Sequence, residues 1–185
     1  MPGLTQAQLL ALKTSIFAQT DLTFVDLRNQ GATGLMAEWY NASSTFVVWR
    51  SVTPLAEVAD AITWAAFTPA DAPDGSALWQ TRALACQGFQ FNVQNMLLIA
   101  QQSGGVASGK TKVRQGWQDS TQAIPSAAGG ANQSAGWAQI RLAMQRTARR
   151  GEALYATGTG TTASPGSLVY EGVISDSDVI QALSA

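Results

Sequence analysis

The chain has 185 residues, 46% of them hydrophobic but only 12% charged, and a formal net charge of −1. That length suits one domain with a sizeable core, and a charged share about half the usual one, alongside six Trp, points to surfaces that meet other proteins; the alternative is a large core under an uncharged polar surface. Histidine is absent and Cys86 is the single cysteine, which excludes Ser-His-Asp and Cys-His catalysis, histidine-bearing or cysteine-rich metal sites, and an intramolecular disulfide.

From the N-terminus, "LTQAQLLALKTSIFAQ" places Thr5 and Gln8 in capping-box spacing, with Leu9, Leu12 and Ile16 on one helical face. "LMAEWYNAS" reads as a short helix ending near Asn41, and "STFVVWRSV" as a β-branched, aromatic strand. In "TPLAEVADAITWAAF", Thr53 suits a cap, Pro54 the first helical position, and Leu55, Val58 and Ile62 a buried face. "TPADAPDGS" is a turn-rich connector. "ALWQTRALACQGFQFNVQNMLLIAQQ" reads as one long helix, with Gly88 marking a kink or a close contact.

The loop "SGGVASGKT" (103–111) follows, read as flexible, then a short helix in "KVRQGWQDSTQA" and a small-residue loop or frayed helix start in "IPSAAGGANQSAG". "WAQIRLAMQRTARRGEALYATG" has the clearest long-helix pattern, with Trp137, Ile140, Met144 and Ala148 at core spacing. A flexible Gly/Thr-rich loop (158–166), a strand in "LVYEGVI" and a closing helix in "SDSDVIQAL", capped by Ser175 and Asp178, complete the chain. The expected fold is mainly α: a helical, bundle-like single domain over 1–185 with a small two-stranded β ribbon.

The ribbon is suggested by an internal echo. "VWRSVTPLAEVADAI" from Val48 matches "VYEGVISDSDVIQAL" from Val169 at an offset of 121, with Val48/Val169, Val52/Val173, Val58/Val179 and Ala61/Ala182 identical. Arg50 and Glu171 take equivalent places with opposite charge, so they are the expected inter-strand pair.

Charge is segregated along the chain. Residues 1–81 hold three bases against seven acids (−4), 82–150 eight bases against Asp119 alone (+7), and 151–185 four acids and no base (−4). Arg141, Arg146, Arg149 and Arg150 fall on the expected long helix, and Lys110, Lys112 and Arg114 beside the loop. These seven are candidates for contact with DNA phosphates or with a neighbouring subunit; the alternative is neutralisation inside one molecule. No recognition-helix, zinc-finger or RNA-binding signature accompanies them.

"GGVASGKT" (104–111) fits the phosphate-binding pattern G-x-x-x-x-G-K-[ST] through Gly104, Gly109, Lys110 and Thr111. The context is wrong for it. The upstream residues read as helix, no parallel α/β pattern surrounds them, and Asp26 and Glu171 are poorly placed as magnesium-shell acids. The match reads as accidental, and "SDSD" (175–178) reads as a helix start, not a metal-ligand run. No catalytic residue, cofactor or metal is expected. No basic-plus-apolar leader opens the sequence and no apolar run nears bilayer length, so a soluble product made inside the cell, without membrane association, is expected.

The run "RRGEALYATGTGTTASPGSLVYEGVISDSDVIQAL", with "VVWRSV" and "KTKVRQGW" earlier, resembles a group of uncharacterised tailed-bacteriophage proteins encoded among head and tail morphogenesis genes. The resemblance spans most of the chain and is most distinctive over 156–172. It implies a virion structural protein without enzymatic activity. With the helical reading and the segregated charge, the expectation is a head-to-tail adaptor that forms a ring with copies of itself, touches portal and tail proteins, and meets packaged DNA non-specifically. A capsid decoration or tail-completion protein is the alternative, and a DNA-binding or ATP-hydrolysing packaging factor a third. In these relatives the region matching 108–116 looks like Ser-Lys-Thr-x-x-Arg-x-Gly preceded by Pro, whereas here Gly109 replaces what precedes the Lys, which accords with an accidental loop match.

Overall fold

The computed structural model describes residues 3–125, 127–128, 130 and 132–185. Ser126, Gly129 and Ala131, within the stretch read as a small-residue loop, lie outside the described residues. The fold is mainly α with one two-stranded antiparallel sheet. Contacts divide the chain into two compact units, one of Met1–Val48 with Arg146–Ala185 and one of Trp49–Gln145.

The first unit begins with α1 (Gln6–Ala18), started by the expected box: the Thr5 hydroxyl accepts from the Gln8 N–H, and the Gln8 side chain accepts from the Thr5 N–H. Leu9, Leu12 and Ile16 are buried. Helix α2 (Leu22–Asn29) starts at Asp21, whose carboxylate accepts the Phe24 N–H. Helix α3 (Thr33–Asn41) brings Trp39 and Tyr40 into an edge-to-face cluster with Phe24. Strand β1 (Ser43–Trp49) pairs with β2 (Gln145–Arg149). Helix α8 (Arg150–Tyr155) follows, and α9 (Asp176–Ser184) closes the unit with the expected Ser175/Asp178 box. The core joins Leu9, Leu12, Ile16, Phe24, Met36 and Tyr40 to Ile174, Val179 and Ala182.

In the second unit, α4 (Leu55–Asp60) and a 3-10 turn (Trp64–Phe67) lead to α5 (Ala77–Gln102), capped by the Ser76 hydroxyl. Helices α6 (Thr111–Thr121) and α7 (Trp137–Ala143) complete it. Helix α5 packs against α4, the 3-10 turn and α6, around Val58, Phe67, Cys86, Val93, Trp117, Ile140 and Met144.

Several expectations are corrected. The long helix over 137–158 is instead α7, β2 and α8. Ile140, Met144 and Ala148 are all buried as that spacing required, but β1 offers an open ladder edge, and the Ser44 hydroxyl fixes the Ala148 carbonyl at 2.8 Å. Pairing with a distant strand overrides the local helical preference.

Residues 168–174 form no strand, so β2 and not this segment is the second arm of the ribbon. The Asn41 side chain takes the place of a strand there, donating to the Ile174 carbonyl (2.7 Å) and accepting its N–H (2.9 Å).

The echoing stretches fall mostly in different units, and each member of the expected Arg50–Glu171 pair has an ion-pair partner inside its own unit. Arg50 pairs with Glu57 (2.7 Å) and Glu171 with Arg146 (3.0 Å). Thr53 does not cap α4, because its hydroxyl bonds Ser108 (2.6 Å) and its backbone bridges Val106. Pro54, expected inside the helix, is the N-cap.

Candidate functional site

The seven basic candidates divide between the two units and several elements. Arg141 lies in α7 of the second unit, whereas Arg146 and Arg149 lie in β2 and Arg150 opens α8 in the first. The single arginine-bearing helix expected from the sequence is therefore absent, because β2 interrupts it.

In the first unit, folding turns these arginines onto its own acceptors. The Arg146 guanidinium holds Glu152 through both oxygens (2.7 and 3.0 Å) and reaches Glu171 as well. Glu152 is only 2% exposed, and its Oε2 also accepts the Arg149 N–H at 2.9 Å. Burial pushes its carboxyl upward, but the bonds from Arg146 and Arg149 and their positive charge outweigh that and hold it below the ordinary value. Arg149 donates to the Gly172 carbonyl. Arg150 stacks over the Trp39 ring at 4.0 Å and donates to the Trp39 carbonyl.

In the second unit, Trp49 carries Arg114 at 4.3 Å and Arg141 at 6.0 Å from its ring centre. Arg114 also donates to the Ser108 and Gly109 carbonyls (2.7 and 2.9 Å) and to the Thr111 hydroxyl (3.0 Å). Lys110 and Lys112 are exposed at the start of α6.

This geometry answers the phosphate-loop question. A phosphate cradle needs backbone N–H groups turned outward after a strand. Here the loop leaves a helix, α5, and its N–H groups face protein carbonyls: Gly105 to Ala100, Val106 to Thr53, Ser108 to Val106, Gly109 to Ser51 and Lys110 to Ala107. Gly109 has its own structural reason, since a Cβ there would meet the Ser51 Cα at 3.2 Å. Two loop carbonyls point at a cation, Arg114, which is the opposite polarity to an anion site.

The other loop read as flexible, 158–166, is also tied down within its unit. Thr157 and Ser167 bridge its base, Val47 donates to the Gly160 carbonyl, and Gly166 donates to the Val47 carbonyl. Gly160, at φ +67°, lies against the Phe46 ring, where a Cβ would come within 2.2 Å.

Large apolar side chains also face outward. Phe17, Leu22 and Leu35 are exposed on α1–α3 of the first unit, and Leu78, Leu84, Phe91, Leu98 and Ile99 on α5 of the second. Sequence reading missed this. The signal was present in the seven-residue spacing of Leu84, Phe91 and Leu98, and in the single charge, Arg82, across all 26 residues of α5. Beside that helix a groove of about 430 Å³ is lined by Leu55, Ala59, Gln94, Leu97, Leu98 and Gln101. A second cavity, about 230 Å³, lies between α5 and α6, with Met96, Val106, Val113 and Trp117 in its wall and Lys112 among its lining residues. Among the described residues no helix is long and apolar enough to cross a membrane, so these exposed side chains are not a spanning segment. No family model matches the chain, and no curated protein or solved structure matches it.

Proposed function

We propose that the protein is a structural subunit of a tailed-bacteriophage virion, a head-to-tail adaptor that closes into a ring with copies of itself and docks portal and tail proteins. One observation carries the reading: both units turn large apolar side chains outward while their arginines are engaged by carboxylates, carbonyls and aromatic rings of the same unit. Exposed apolar surface of this extent marks contact with other macromolecules, and low charge suits the centre of a protein interface. The sequence resemblance over 156–172 supports a virion as the setting of that contact.

A ring follows from a repeated heterologous contact that closes. The apolar residues of α1–α3 supply one such surface. Lys110 and Lys112 supply a modest non-specific attraction for packaged DNA, weakened by salt. No bond is made or broken in this role.

The test has two parts: native mass measurement of the purified chain, and detection in finished particles followed by imaging. A ring-sized oligomer and a position at the head-to-tail junction are expected. A protein missing from finished particles, or one that turns over ATP in a Lys110-dependent way, would end the reading.

A further inference from the structure

Helix α5 carries two apolar stripes on opposite faces. Cys86, Val93 and Ala100 recur every seven residues and are buried in the core of their unit. Leu84, Phe91 and Leu98 recur at the same interval, two residues out of phase and so roughly 160° around the helix, and are 68%, 61% and 56% exposed. The positions between them, Thr81, Gly88, Asn95 and Gln102, complete a spacing of three and four, and none is charged. A strict seven-residue apolar repeat fits a second helix wound against the first, because a straight 3.6-residue helix drifts away from it.

Gly88 is the second observation. It sits mid-helix, where glycine is a poor helix former, and a Cβ built there meets nothing within 4 Å. Its own unit therefore gives no reason for the missing side chain. A large side chain entering from outside does.

We propose that this face is filled by the same face of a second copy, with the two α5 helices antiparallel and Phe91 of each seated over Gly88 of the other. In that register every large residue meets a small or polar one: Leu84 faces Asn95, Phe91 faces Gly88, and Leu98 faces Thr81. A parallel pair would set Phe91 on Phe91 and leave a void at each Gly88 layer. No like charges meet, since Arg82, the helix's one charge, is engaged by Asp71.

The area sets the strength. A 26-residue helix is about 39 Å long, and a contact band about 10 Å wide along it covers roughly 400 Å² per copy. That is about half of a standard stable interface. The adjoining groove with Leu55 and Ala59 supplies part of the difference, so the pair belongs in the micromolar range. An isologous contact closes at two copies, so a ring would use other surfaces. The inference rests on α5 and not on the virion reading.

Sedimentation equilibrium of the full chain, from about 1 to about 300 μM, tests it with three variants whose folding is checked by circular dichroism. The native chain is expected to pair reversibly, and Phe91→Glu to weaken pairing at least about 100-fold, because two central anchors are lost per pair. Gly88→Ala is expected to raise the melting temperature of dilute monomer yet weaken pairing about 10-fold. Ile180→Glu, on an exposed apolar residue of α9 in the first unit, leaves pairing unchanged. A native chain that stays monomeric throughout, a pair indifferent to Phe91→Glu, or a Gly88→Ala chain that pairs as tightly as the native one overturns the proposal. An oligomer indifferent to Phe91→Glu removes the pair and leaves the virion reading standing, and absence from virions leaves the pair standing.

Discussion

The two units use arginine in opposite ways. The first buries a carboxylate, Glu152, and closes it with Arg146, the Arg149 N–H and a link onward to Glu171. The second keeps its Arg50–Glu57 pair near solvent, with side chains 28% and 44% exposed, and lays Arg114 over Trp49 and two carbonyls. A buried charge strongly penalises loss of its partner, whereas an exposed pair does not. The first unit therefore holds the more deeply buried carboxylate, Glu152, whereas the Arg50–Glu57 pair of the second is solvated.

The largest expected effect follows from that contrast. Arg146→Ala removes the fork from a carboxylate that water does not reach and is expected to destabilise the first unit by about 3–5 kcal/mol. Glu152→Gln is expected to be milder, because Arg146 is 26% exposed and keeps Glu171. Thermal melts give the order. Amide exchange read unit by unit checks the location, with α8 and β2 accelerated before α5. Equal losses for the two variants would remove the asymmetry.

Acid sharpens the same contrast. Glu152 has its folded value depressed, so its contribution is present above the ordinary carboxylate value and is lost as pH falls through the lower folded one. Unfolding measured downward from about pH 5 should therefore lose stability with a slope that Glu152→Gln reduces. An unchanged slope in that variant would assign the acid response to other groups.

How much of this was legible in the sequence depends on how local each cause is. The helices α1, α5 and α9 were, because caps such as Thr5/Gln8 and Ser175/Asp178 and a continuous buried stripe act over a few residues. Helix α2 was missed although Asp21 signals its start. The break at Gln145–Arg149 was not legible. Ile140, Met144 and Ala148 satisfy helical spacing, and the strand that claims the segment begins about a hundred residues earlier, as the Ser44–Ala148 bond shows. The basic candidates were visible as residues, but their partners were chosen by the fold. Arg146 meets Glu152 because β2 runs straight into α8, which an uninterrupted helix would not have allowed.

In the second unit the next effect is smaller. Arg114→Ala deletes the stack on Trp49 and the bonds to the Ser108 and Gly109 carbonyls, and about 1–3 kcal/mol of stability is expected to go with them. Arg114→Lys keeps the charge but not the planar fork, so it should recover only part of that loss. Full recovery by lysine in denaturant melts would mean that charge alone matters at this position.

The smallest effect is expected at Arg50→Ala. Its guanidinium bonds Glu57 at 2.7 Å and the Gln145 carbonyl at 3.1 Å, both short enough to look consequential. Water reaches both members of the ion pair, however, and solvation replaces most of what the contact supplies, which leaves about 0–1 kcal/mol. Raising salt should shrink even that. A loss near that of Arg146→Ala would show that the second unit also depends on a charge at its margin, and the distinction between the two units would then rest on packing alone.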